Sequence, residues 1–253
     1  STGSCDFNAW TTAALSASAS AGINNYQHSI FVTPSNTCGY TGLGTLGSSY
    51  SYSWNFGYGW NAVVYAHELG HNLGFRHANT PGTVYGDAAS MMGNPGVLVH
   101  PYAPEKLQRE WGASDSVQTV SATGEYRISL LERSGEPDPQ IIKITKPDSG
   151  ESYYLSFRRP VGFDSSLSTT YTDKTNIHVW DGHGPTVFLQ ALADSATFQD
   201  SVNRITVRQI SHNESFATVA VIFGSDNVPP VIEPVAAQEV EIGSDLRLRI
   251  LAT

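Results

Sequence analysis

The stretch that decides the fold of this chain spans residues 67–77 and reads HELGHNLGFRH. On a helix, His67 and His71 stand four residues apart, so both imidazoles project from one face and can aim at one metal ion. Gly74 permits backbone angles that a residue with a Cβ resists, which lets the chain turn back and present His77 to the same ion. Three imidazoles leave the fourth tetrahedral position open for water. This open position is typical of a catalytic zinc site, with His67, His71 and His77 as metal ligands.

Glu68 lies beside these ligands without being needed to hold the ion, and its carboxylate can accept a proton from the activated water. By chance, the full pattern is expected in about one chain of this length in 100,000. The alternative is a structural zinc site, but such sites are closed by four ligands and usually use cysteine, of which the chain has two. The pattern therefore predicts a zinc hydrolase in which Glu68 is the catalytic base.

A helix over residues 61–73 is predicted around this motif. Asn61 is a suitable N-cap, and apolar residues then recur every three or four positions, which gives a stripe that can pack on a core. The stripe consists of Ala62, Ala66, Leu69 and Leu73. Gly70 within the helix costs about 1 kcal/mol relative to alanine, so its presence predicts that another group packs closely against that turn.

The eleven residues match the H-E-x-x-H-x-x-G-x-x-H signature, and the chain thereby resembles the metzincin zinc metallopeptidases. A second motif, YGDAASMMG over residues 85–93, resembles the turn of the gametolysin-like family, in which methionine directly precedes glycine. The resemblance implies that Met92 is the methionine of the Met-turn beneath the zinc, and that Met91 only packs. It further implies a secreted enzyme of bacterial type that cleaves protein or peptide substrates, with matrix or cell-wall glycoproteins favoured.

The same resemblance implies where a substrate would lie. Residues 42–47, GLGTLG, resemble the family's edge strand, whose backbone pairs with an extended peptide. The wall of the main specificity pocket maps to residues 93–104.

Two positions depart from the wider clan, since Ala78 and Asn94 stand where some relatives carry an acidic residue and a zinc-proximal tyrosine. An additional donor to the transition state is therefore unassigned. Tyr102 and His100 are interpreted as structural.

Composition and charge exclude several classes of function. The 253 residues include 14 basic and 23 acidic side chains, a net charge of −9, with no basic patch, so a nucleic-acid partner is not expected. No apolar window is long enough to span a bilayer, and no leader opens the chain. Cys5 and Cys38 are consistent with one disulfide, with two free thiols as the alternative. We expect a secreted monomer from which a leader has already been removed.

The predicted fold class is α+β, with a metzincin-type catalytic domain of mixed sheet and active-site helix over residues 1–114. Alternating apolar patterns then predict an antiparallel β-sandwich-like domain over residues 115–227. Residues 228–253 are interpreted as a linker and the start of a truncated immunoglobulin-like repeat, so the native precursor is expected to continue.

Three patterns allow two interpretations each. The every-second-residue aromatic series from Tyr50 to Trp60 indicates either rings buried against helices or, in its second half, a platform for substrate. The group His178, Asp181 and His183 resembles a metal cluster but is interpreted as a strand-and-turn histidine pair. Three acidic residues could serve as calcium ligands or be ordinary surface carboxylates, and the second interpretation is preferred. They are Asp87, Asp194 and Asp200.

The alternative function is a catalytically vestigial module that binds matrix or glycans. The intact Glu68 and ligand set argue against it, because a non-catalytic descendant has no chemical need for that carboxylate.

Overall fold

A computed structural model describes residues 5–34, 38–57, 61–111 and 116–224. The fold is mixed, with few helices and three open sheets in the described ranges. The helices are α1 (Phe7–Ser20), α2 (Ala62–Asn72) and α3 (Ala103–Gln108). The strands are β1 (His28–Thr33), β2 (Gly42–Gly44), β3 (Ser51–Phe56), β4 (Ala78–Asn79), β5 (Val117–Thr119), β6 (Gly124–Ser129), β7 (Ile141–Thr145), β8 (Ser152–Arg158), β9 (Lys174–Trp180), β10 (Thr186–Leu192), β11 (Thr197–Asp200), β12 (Ile205–His212) and β13 (Phe216–Phe223).

The first sheet has the order β1-β3-β2, with β1 parallel and β2 antiparallel to β3. Its central strand alternates between two faces, so the rings of Trp54 and Phe56 pack against Phe7 of α1. The small polar residues of β3, Ser53 and Asn55, share the other face with the glycines of β2, and α2 lies against this face.

This arrangement supports the first interpretation for Trp54 and Phe56, whose rings lie against α1, whereas Tyr52 packs on Phe31 of β1. Tyr50 itself is exposed, and residues 58–60 lie outside the described part of the chain. The predicted disulfide is confirmed, since Cys5 and Cys38 are bonded and tie the start of α1 to the segment before β2.

The remaining strands form two further sheets, in the orders β4-β10-β9-β8-β7-β5 and β11-β12-β13-β6. Both contribute to one buried core, which includes Leu155 and Phe157 of β8 with Val207 of β12 and Val219 of β13. Pairing is antiparallel except for β4 with β10 and β5 with β7, which are parallel. The alternating pattern predicts a purely antiparallel domain, and these two parallel pairings depart from it. The assignment of a β-sandwich stays a prediction.

Contacts cross residue 114 between the two predicted domains. Strand β4, which directly follows His77, pairs with β10, and the hydroxyl of Tyr102 is hydrogen-bonded to Thr186. The histidine motif is thus held partly by the later strands, and the domain boundary stays a prediction. Residues 228–253, with the predicted immunoglobulin-like repeat, lie outside the described residues. Among the described helices, none has the length and apolar character needed to cross a membrane.

Candidate metal centre

Helix α2 carries the first two histidines, and local sequence signals fix both of its ends. The side chain of Asn61 accepts a hydrogen bond from the Val63 amide at 3.2 Å, as expected of an N-cap. The helix ends at Asn72, with Leu73 as C-cap, and Gly74 follows at φ +90°, a left-handed angle that favours glycine. The predicted helix and the predicted role of Gly74 in redirecting the chain are therefore confirmed.

The structure brings His67, His71 and His77 together, with one ring nitrogen from each within 4.8 Å of the others. The Nδ1 atoms of His67 and His71 lie 2.7 and 2.8 Å from the carbonyl oxygens of Met91 and Phe75. Because a carbonyl only accepts, both Nδ1 atoms carry the proton, and the Nε2 lone pairs are left free for a metal.

The Nε2 atoms of His71 and His77 are 3.1 Å apart. A proton on Nε2 of His77 would make this contact a hydrogen bond, and a tetrahedral zinc ion with ordinary Zn–N bonds would hold the two nitrogens about 3.3 Å apart, so the spacing fits a shared ion. Burial lowers the pKa of all three rings, and that of His77 to about 4, with the neighbouring imidazoles adding to the effect. The rings are therefore neutral near pH 7, as metal ligands must be. In the described ranges, no other group of three His, Cys, Asp or Glu side chains converges in this way.

Glu68 is buried beside the triad, and burial raises its pKa to about 7. It owes this position to two glycines of β2. A Cβ on Gly42 would lie 2.7 Å from Glu68 Cγ, and one on Gly44 would lie 2.9 Å from the Cβ of His71. Since real Cβ atoms do not approach so closely, only glycine lets the edge strand lie directly over this carboxylate.

Gly70 and Met92 meet on the opposite side of α2. A Cβ on Gly70 would collide with the sulfur of Met92, which is fully buried, so close packing at this turn is confirmed. The backbone of this turn is fixed too, because the carbonyl of Met92 accepts the Ala78 amide at 2.9 Å while that of Met91 contacts His67. The assignment of Met92 as the Met-turn residue remains a prediction that this packing favours.

An apolar cavity of about 270 Å³ lies against the same side of α2 and is lined in part by Gly70 and Met92. Three residues of the predicted helical stripe line it, namely Ala66, Leu69 and Leu73. The predicted pocket wall contributes Leu98, Val99 and Pro101. The stripe is half-buried, and the predicted packing on a core is confirmed for Leu73 and Ala66, which lie against buried clusters while also lining the cavity.

Asp87, one of the calcium candidates, is fully buried beneath the site. One carboxylate oxygen lies 2.9 Å from Nε2 of His178, and the other accepts the amide of Ala89 at 2.8 Å. These bonds occupy the carboxylate, and Asp194 and Asp200 have side-chain partners of their own. Calcium therefore receives no support from the described residues.

The other residues left open by the sequence also have structural partners. His178 is buried against Asp87, and Asp181 caps the backbone amides of His183 and Gly184, as a strand-and-turn pair would. Tyr102 is 1% exposed and hydrogen-bonded to Thr186, in agreement with a structural role.

Arg158 is a residue that the sequence patterns do not reveal. Its buried guanidinium is paired with Glu132 and Asp164, and it donates to the carbonyl oxygens of Ala89 and His100. It therefore anchors to β8 both ends of the loop that contains Met91, Met92 and the cavity wall. No local signal marks it, because Arg158 sits at the end of a strand in an otherwise ordinary alternating pattern.

Tyr85, the first residue of the turn motif, lies against the histidine triad. Its ring centroid is 4.0 Å from that of His77 and 5.8 Å from that of His67. Burial and the nearby Glu68 carboxylate raise the pKa of its phenol. Its backbone has φ +60°, an angle that bulky residues seldom adopt.

Comparison with known proteins gives one match. A family model described as gametolysin peptidase M11 matches residues 1–186, which is most of the chain. No curated protein and no solved structure matches it.

Proposed function

The chain belongs to the gametolysin peptidase family M11 and is therefore a peptidase, and we propose that it is a secreted zinc endopeptidase of metzincin type. The observation that carries this proposal is the convergence of His67, His71 and His77 beside the buried carboxylate of Glu68. The disulfide between Cys5 and Cys38 supports secretion, since such bonds persist in oxidising compartments.

In this proposal, His67, His71 and His77 would hold Zn²⁺, and the Nδ1 protons of His67 and His71 orient those two rings. When bound, zinc supplies Lewis acidity to the scissile carbonyl and lowers the pKa of water. Glu68 accepts a proton from the attacking water and delivers it to the leaving amine. In the metal-free site, burial raises the pKa of this carboxylate to about 7, which favours uptake of a proton, and a bound cation would lower it again.

Substrate binding is assigned to two features that lie against helix α2. Strand β2 is the edge of its sheet, so its free backbone groups can pair with an extended peptide of almost any sequence. The apolar cavity beside α2 would then accept one side chain of that peptide. We therefore propose extracellular proteins, including matrix or cell-wall glycoproteins, as substrates, cut next to a large apolar residue.

The decisive experiment compares Glu68→Gln with Glu125→Gln, a change at an exposed glutamate of β6. Glu68→Gln should keep zinc, measured by metal analysis, and lose casein cleavage by a factor of roughly 10² or more. Glu125→Gln should cleave as the unaltered protein does. A chelator should abolish cleavage and added zinc restore it.

Full cleavage by Glu68→Gln would refute the assigned base. A protein that holds zinc but cuts no protein or peptide would favour the binding-module alternative instead.

A further inference from the structure

In the proposed hydrolysis, the negative oxygen of the reaction intermediate has no hydrogen-bond donor assigned among the protein's side chains. Attack of water on a peptide carbonyl makes a tetrahedral intermediate whose negative oxygen is stabilised best by fixed hydrogen-bond donors. Tyr102 cannot reach this charge, because it is buried with its hydroxyl engaged by Thr186. A donor is therefore sought among the other residues around the triad.

Tyr85 lies at that place. Among the residues that the structure describes, it contributes the one ring outside the triad that contacts ligand rings, at 4.0 Å from His77 and 5.8 Å from His67. The side chain is not closed off, since Tyr85 is 42% exposed. A phenol that is open to solvent and next to two metal ligands can reach a bound peptide.

The backbone of Tyr85 holds the ring in this position at an energetic cost. A φ of +60° is rare for a bulky side chain, and such strained residues cluster at functional sites. The strain is maintained locally, because the Tyr85 amide donates to Oδ1 of Asn79 at 3.1 Å. Gly86 follows with its α-carbon so close to Thr80 that a Cβ would collide with that side chain.

We propose that Tyr85 is a catalytic residue whose phenol donates a hydrogen bond to the oxyanion of the tetrahedral intermediate. The phenol keeps its proton throughout, so no bond to Tyr85 forms or breaks. The bond is made to the charged intermediate and not to the planar ground-state carbonyl, so its energy lowers the barrier without tightening substrate binding. This inference rests on the proposed endopeptidase function.

Tyr85→Phe tests it, because phenylalanine keeps the ring beside His77 and removes only the hydroxyl. We expect kcat for a fluorogenic peptide to fall by about 10²-fold while KM changes by less than about twofold. Tyr26→Phe, at an exposed tyrosine before β1, is the matched control and should leave both constants unchanged.

Two binding measurements do not depend on turnover. A phosphinic peptide, which mimics the tetrahedral intermediate, should bind Tyr85→Phe about 10²-fold more weakly by calorimetry, in proportion to the loss of kcat/KM. In the Glu68→Gln background, the Kd of an uncleaved peptide should be the same with and without Tyr85→Phe. Zinc affinity, measured by competition with a chelator, should also be unchanged.

The outcomes separate this inference from the proposed function. If the unaltered protein cleaves no peptide, the proposed function is wrong. If it cleaves and Tyr85→Phe retains kcat within about threefold, the donor role of Tyr85 is wrong. A fall in zinc affinity that accounts for the lost activity would overturn it as well, since Tyr85 would then only support a ligand.

Discussion

Glu105 offers a test of the electrostatics beneath the metal centre. It lies in the first turn of α3 and is 3% exposed, and its two oxygens accept hydrogen bonds from Ser90 Oγ and the Tyr102 amide, both at 3.2 Å. Burial outweighs these bonds and raises the pKa of Glu105 from 4.5 to about 8. The group is therefore protonated in the folded protein near pH 7, where it would be ionised in the unfolded chain.

The sign of the effect on stability follows from this difference. Because the folded state binds the proton more tightly, the stabilisation is complete below pH 4.5 and disappears as the pH rises through about 8. At about 1.4 kcal/mol per pKa unit, the loss from about pH 5 to pH 7.5 is about 3 kcal/mol. Glu105→Gln resembles the protonated acid, keeps an acceptor for Tyr102 and does not titrate, so it should escape this loss.

Urea unfolding followed by tryptophan fluorescence, at about pH 5 and about pH 7.5, measures the prediction. The free energy of unfolding of Glu105→Gln minus that of the unaltered protein should rise by about 3 kcal/mol between the two conditions. Contributions from the histidines occur in both proteins and cancel. Glu110→Gln, a change at an exposed residue after the same helix, is the control. Its unfolding free energy minus that of the unaltered protein should change by less than about 0.5 kcal/mol between the two pH values. If this difference is equally independent of pH for Glu105→Gln, the conclusion that Glu105 is protonated in the folded protein is wrong.

Two further changes test packing and covalent restraint. Gly70→Ala should destabilise the protein by about 1 to 3 kcal/mol and weaken zinc binding in a chelator competition, although alanine favours helices, because its methyl group collides with Met92. A variant as stable as the parent would contradict this. Replacing Cys5 and Cys38 by serine should cost roughly 3 to 4 kcal/mol, since the bond closes a loop of 33 residues. Unchanged denaturation in urea would show that the bond contributes nothing.

Features set by near neighbours in the chain were predictable. The cap at Asn61, the helix to Leu73, the left-handed Gly74 and the convergence of the three histidines depend on spacings of a few residues. The strands after residue 115 were visible as alternation, because a residue's face on a strand depends only on its position. Gly70 was recognised as a close contact, although its partner, Met92, was not identified.

Features that join distant segments were not predictable. The apolar stripe on α2 lines a cavity, and the polar alternate residues of β3 are the ones that face α2, contrary to a simple hydrophobic pattern. Arg158 holds the ends of the loop that contains Met91 and Met92, from 58 and 69 residues away along the chain. Tyr85 approaches the triad through a backbone angle that no propensity would assign to tyrosine.

The sequence by itself determined which three histidines converge, the carboxylate next to them and the helix that presents them, since these depend on local geometry that a short motif encodes. Only the tertiary structure decided how deeply Glu68 is buried under Gly42 and Gly44, which buried groups hold the turn beneath the metal, and which phenol faces the triad. Burial and long-range contacts are properties of the assembled fold, so no single segment of the chain contains them.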